Sequence, residues 1–148
     1  MTLKAQIQED MKTAMRGGEK ARLANIRMVM AAIKQREVDE RIELDDAQVL
    51  SVIDKMVKQR RESITQFEAG GRADLVAKEQ AELVLLSAYL PAALSDADLD
   101  ALISEAIATT GAVSIKDMGK VMAAIKPKAV GRADMGAVGA RIKARLAN

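Results

Sequence analysis

Apolar residues recur at helical spacing along almost the whole chain. Leu3, Ile7, Met11 and Met15 fall every four residues and predict the buried stripe of a first helix, ended by Gly17-Gly18. The run from Glu19 to about Val38 places Leu23, Ile26, Met30 and Ile33 on one face, with Arg22, Arg27, Lys34 and Arg36 around them. In "LDDAQVL", Asp45 or Asp46 serves as an N-cap. A long helix then runs through Val49, Val52, Ile53, Met56, Val57, Ile64 and Phe67 to Gly70-Gly71. A fourth helix is predicted from Asp74 to about Tyr89, with Leu75, Leu83, Leu86 and Leu90 inward, ending before Pro91.

Beyond Pro91 the helices are shorter. Ser95 with Asp98 reads as a capping box, followed by the apolar face Leu99, Leu102, Ile103 and Ile107 and closed by Gly111. Ser114 with Asp117 repeats the device and opens a helix that Pro127 is expected to stop. The last helix starts at Asp134 and carries Val138, Ile142 and Leu146. No strand-like alternation persists. The expectation is an all-α protein, with a four-helix N-terminal part over residues 1–90 and a small three-helix bundle over residues 91–148. The tetrapeptide Gly-Arg-Ala-Asp occurs at Gly71–Asp74 and at Gly131–Asp134. The sequences that follow share almost nothing, so both copies read as a glycine turn followed by an aspartate cap rather than as an internal repeat.

Composition narrows the chemistry. Phe67 and Tyr89 are the only aromatics, so the core is built from Ala, Leu, Ile, Val and nine Met. The chain has no His and no Cys. That excludes imidazole catalysis, thiol chemistry, disulfides and Cys/His metal sites. No phosphate-binding glycine loop, serine-nucleophile elbow or zinc-protease signature is present. Carboxylate pairs such as Asp45-Asp46 stand where caps are expected. No catalytic residue, metal or cofactor is assigned. A polar N-terminus and the lack of a roughly 20-residue apolar run point to a cytoplasmic protein without a membrane partner.

Charge is unevenly distributed. Residues 1–69 sum to +1, residues 70–115 to −5 and residues 116–148 to +6. The basic C-terminal third is either a solvated face or the surface for an anionic partner. Lys116 and Lys120 are four apart, and Lys126, Lys128 and Arg132 flank a turn that Pro127 and Gly131 are expected to build. With the N–H groups of the following helix beside them, these residues form a candidate phosphate site. Arg141 and Lys143 carry the basic series into the last helix. Gly119, Gly136 and Gly139 fall inside predicted helices and allow close approach of a neighbouring helix or a nucleic-acid strand. Single-strand binders stack bases on aromatic rings, and this segment has none. Contact with the phosphates of a folded RNA is the mode that fits.

The stretches "KDMGKVM", "KPKAVGRAD", "KEQAELVLLSAYLPAALS" and "KTAMRGGEKARLANIRMVMAAIK" closely resemble the GatB/YqeY family, in the right order and over about Leu3 to Leu146. The likeness is to the free-standing, YqeY-like member. It implies an all-helical protein similar to the helical and tail regions of the B subunit of glutamine-dependent tRNA amidotransferase, where the tail helps to hold tRNA. The family positions are matched by Lys116, Asp117, Met118, Gly119, Lys120 and Val121, then by Pro127, Gly131, Arg132, Ala133 and Asp134. Met135 departs from the pattern, standing where related sequences often have Gly. The implied partners are tRNA or another structured RNA and the amidotransferase or aminoacyl-tRNA machinery. The carbon–nitrogen ligase label travels with the family, but this chain has no room for the catalytic domain. An accessory amidotransferase subunit and a protein–protein adaptor are the alternative readings.

Overall fold

The computed structural model describes residues 1–147, and among them every regular element is helical. The chain forms two compact units, Met1–Leu90 and Pro91–Asn148, each with its own buried cluster.

The first unit holds α1 (Leu3–Arg16), α2 (Lys20–Glu40), α3 (Asp46–Ala69) and α4 (Ala73–Ser87). Ile7 and Ala14 of α1, Ile26, Val29 and Ile33 of α2, Val49, Val52, Ile53 and Val57 of α3 and Leu86 of α4 fill its core. Asp45 is the N-cap of α3 and forms a reciprocal capping box with Gln48. Asp46 instead accepts the Leu3 N–H at 2.9 Å, tying the start of α1 to α3. Gly71 turns the chain at φ 69° between α3 and α4, which pack along one another.

Met15 does not belong to the inward stripe: it is 52% exposed, and Ala14 is buried in its place. A step of four residues overshoots one helical turn by about 40°, so the spacing drifts off the core face after three repeats, whereas a seven-residue step returns to it. The same geometry adds Val29 to the buried face of α2.

The second unit holds α5 (Asp96–Thr110), a single 3-10 turn (Ile115–Asp117), α6 (Met118–Ala129) and α7 (Met135–Leu146). Leu99, Ile103 and Ala106 meet Val121, Ile125 and Ala129 of α6 and Val138, Ile142 and Leu146 of α7. Ser95 and Asp98 form the expected capping box, and Gly111 ends α5 in the left-handed region.

Three expectations change here. Pro127 does not stop α6, which continues to Ala129. Proline leaves the carbonyl four residues earlier, that of Ala123, without its helical partner, and Ala123 is an exposed residue on the outer side of the helix. The cap at Ser114–Asp117 opens a 3-10 turn rather than α6 itself, so Lys116 precedes the helix that carries Lys120. The two Gly-Arg-Ala-Asp copies also differ. Asp134 is the N-cap of α7 and accepts the Ala137 N–H at 3.1 Å. Asp74 lies inside α4, whose N-cap is Arg72, and pairs with the Arg72 guanidinium. Asp74 is therefore not a cap. Met135 packs half-buried against the core of the second unit, and α7 starts regularly there.

Candidate nucleic-acid interface

The buried residues of α6 recur as Val121, Ile125 and Ala129 and fix which side faces inward. The opposite side carries Gly119, Lys120, Ala123, Lys126 and Pro127, all exposed. A Cβ added at Gly119 would meet nothing within 4 Å, so the backbone there opens directly onto solvent. The outer side of α7 is similarly smooth, with Gly136, Ala137, Ala140 and Ala144 exposed and Lys143 at its margin. Gly139 faces the other way. It is buried, and an added Cβ would lie 3.5 Å from Met118 Cε, so this glycine serves helix packing.

The basic side chains divide into two groups. Arg141 donates to Asp96 at 2.7 Å and to Asp100 at 3.0 Å, both on α5. Lys128 lies 3.6 Å from Glu105. Arg132 donates through Nε to the Ala92 carbonyl at 2.9 Å, while its own carbonyl accepts the Leu94 N–H at 2.9 Å. These two bonds clamp the segment after Pro91 to the α6–α7 junction, so Arg132 has an architectural task. Lys116, Lys126 and Lys143 are exposed and make no ion pair among the described residues. Lys120 is exposed beside Asp117. The Val113 N–H above all, then the Ser114 N–H and the Lys120 charge, hold the Asp117 carboxyl below the usual carboxylate range.

The +6 of residues 116–148 is therefore not a uniform field. The acidic residues of α5 fold into the same unit, where they offset Arg141 and Lys128. Lys116, Lys120 and Lys126 on the 3-10 turn and α6, and Lys143 on α7, form no ion pair among the described residues, and Arg132 and Arg145 bond only to carbonyls, so the uncompensated charge is spread over α6, the α6–α7 junction and α7. The expected phosphate site at the start of α7 is changed too. The Asp134 carboxylate already occupies the first-turn N–H of Ala137 and brings a negative charge to that helix end. The Gly119–Ala123–Pro127 surface was not singled out from the sequence. Its four-residue spacing of small residues was the available signal, but it became legible only once the buried side of α6 was known.

No helix among the described residues is long and apolar enough to cross a membrane, and no group of three carboxylates is placed to hold a metal. An all-helical protein in two units, the second bearing a smooth, lysine-edged helix face, is the class that these features define. The chain belongs to the YqeY-like protein family, whose model matches residues 4–146. Among curated relatives, it is 39% identical over 118 residues to the mitochondrial protein "Altered inheritance of mitochondria protein 41" of Eremothecium gossypii, covering 75% of this chain and 64% of that protein. The protein of the same name from Pyrenophora tritici-repentis is 34% identical over 134 residues, covering 84% of this chain and 71% of that one. For the Lachancea thermotolerans protein the figures are 34% over 104 residues, 68% and 55%. The matched part thus spans less than two thirds of the length of two of these three relatives.

Proposed function

We propose that the protein binds a structured RNA, with tRNA the first candidate, through the outer side of α6. The observation that carries this reading is the placement of Lys116, Lys120 and Lys126 around a surface formed by Gly119, Ala123 and Pro127. Small residues between the lysines let a sugar–phosphate backbone approach the helix closely, and the lysines then meet phosphates without losing an internal partner. The lack of aromatic residues in the second unit favours recognition by shape over base stacking. Lys143, exposed on α7, is a further candidate for a phosphate contact.

The reading assigns the protein a binding role beside the amidotransferase or aminoacyl-tRNA machinery rather than a reaction of its own. It takes an aqueous compartment as the place of action: the cytoplasm from the composition of this chain, whereas the relatives are named as mitochondrial. Crosslinking in cells followed by sequencing of the bound RNA tests it, with the variant Lys116→Glu/Lys120→Glu/Lys126→Glu as control. Enrichment of tRNA that disappears in the variant supports the reading. Equal RNA recovery from both proteins, or recovery of none, rejects it.

A further inference from the structure

The loop between α5 and α6 carries an apolar pair that the lysine surface leaves unused. Val113 is 85% exposed and Ile115 45%, whereas the other large apolar residues described in the second unit are buried or half-buried. Isolated apolar side chains on a surface are ordinary. These two are not isolated. Ser114 between them is extended, at φ −150° and ψ 171°, and the neighbours of an extended residue point to the same side. Exposure follows that alternation: Ala112 and Ser114 are half-buried, Val113 and Ile115 exposed.

The loop that presents the pair is fixed by its backbone. The Ala112 N–H donates to the Ile107 carbonyl at 3.2 Å, just after Gly111 turns the chain at φ 67°. The Asp117 carboxylate accepts the Val113 N–H at 3.0 Å and the Ser114 N–H at 3.4 Å. The Asp117 N–H donates back to the Ser114 carbonyl at 2.9 Å. None of these bonds uses the Val113 or Ile115 side chain, so the turn does not account for either residue.

The surroundings give the kind of partner. Lys116 follows Ile115 in the same 3-10 turn, exposed and without an ion pair among the described residues. The turn runs directly into α6, where Gly119 opens the backbone to solvent. A partner that covers the apolar pair therefore meets positive charge at the same place, and must offer an apolar face beside negative charge. RNA offers both where a base has no stacked neighbour, as in loops and bulges. In a continuous duplex the base planes cover one another. Aliphatic side chains pack on a base plane without bonding to its edges, so such a contact reads that a base is exposed, not which base it is.

We infer that Val113 and Ile115 pack against an unstacked base of the RNA whose phosphates the neighbouring lysines contact, selecting folded RNA with exposed bases over continuous duplex. The inference rests on the RNA reading above and supplies its selectivity.

Binding of the full chain to an unmodified tRNA transcript and to a long, fully paired RNA duplex, at several salt concentrations, provides the test. Val113→Ser/Ile115→Ser should bind the transcript about tenfold more weakly at every salt concentration, the loss of about two buried methyl groups. The slope of log affinity against log salt should stay native, because no phosphate contact is removed. Duplex affinity should not change. Val113→Leu/Ile115→Leu keeps the apolar surface and should keep native affinity, which separates a lost contact from a lost fold. Val113→Trp gives the chain its one tryptophan, and stacking on a base should tighten transcript binding and quench the fluorescence, with no quenching by duplex. Unchanged transcript affinity in the serine variant, an equal loss on duplex, or an altered slope overturns the inference while the RNA reading stands. So does unchanged transcript affinity with loss of a protein from nuclease-treated pull-downs, which assigns the pair to a protein surface. Failure of the native chain to bind either RNA rejects the RNA reading and this inference with it.

Discussion

Gly119→Ala separates the architectural from the functional reasons for a glycine. Gly119 stands in the first turn of α6, exposed, with room for a Cβ on every side. Glycine costs a helix interior about 0.5–1 kcal/mol relative to alanine, chiefly through backbone entropy, and the first turn feels part of this. Alanine should therefore stabilise the second unit by about 0.5 kcal/mol and raise its melting midpoint by about 2–4 °C, scaled from the response of small domains. Circular dichroism melts of the full chain measure this shift. If a phosphate backbone approaches that face, the same variant should bind RNA more weakly while being more stable. Gly131→Ala is the contrast, because φ is 73° there and a left-handed alanine costs about 1–2 kcal/mol. A loss of stability in Gly119→Ala comparable to that in Gly131→Ala would show that the outer side of α6 is packed, and would refute the reasoning.

Other outcomes follow from single contacts. Ser95→Ala removes the acceptor for the Asp98 N–H and should cost about 1 kcal/mol in the same melts, with unchanged helix content before the transition. Arg132→Ala should lower the stability of the second unit by about 1 kcal/mol through loss of the bond to the Ala92 carbonyl. Because that guanidinium nitrogen is already engaged, the salt dependence of RNA binding should hardly change. Tyr89 is the sole tyrosine, so its phenolate absorbance reports on one group. Burial first, then the bond to Asp10, raises its pKa above the ordinary value, so the native phenol should remain protonated at pH values that ionise the unfolded chain. The associated stability is fully present below about pH 10 and is lost as pH rises toward the native value, as alkaline denaturation would show.

Helical class and most helix ends were legible in the sequence, because their signals are local. Asp45 with Gln48, Ser95 with Asp98, and the glycines at 17, 70 and 111 mark ends by their own hydrogen-bonding and backbone preferences. The misread positions depended on what lay outside the element. Pro127 reads as a stop unless Ala123 is known to lie on the outer side of the helix. Met15 reads as core unless the drift of a four-residue spacing is followed to the end of α1. Asp74 and Asp134 share one tetrapeptide, yet only Asp134 caps a helix.

The candidate site was legible as composition but not as arrangement. Seven basic residues, Lys116, Lys120, Lys126, Lys128, Arg132, Arg141 and Lys143, stood out by charge. Which of them remain uncommitted depends on α5, whose Asp96, Asp100 and Glu105 meet Arg141 and Lys128 only in the folded unit. Arg132 is among the candidates on sequence, beside a turn and a helix start. Its bonds to the chain after Pro91 could not be read from local spacing, because the partner lies 40 residues away. Asn25 was hidden for a related reason: it adjoins Ile26 on the inward side of α2, and the carbonyl that accepts its bond, Glu82, is on α4.

The central claim is that Lys116, Lys120 and Lys126 contact RNA phosphates. Its most direct test is the affinity for tRNA measured at several salt concentrations, for the native chain and for the triple lysine-to-glutamate variant. Each phosphate contact contributes about 0.7–0.9 to the slope of log affinity against log salt. The account predicts tRNA binding by the native chain and a slope shallower by about 2–3 in the variant, with affinity falling most at low salt. The same slope and affinity in both proteins would contradict it.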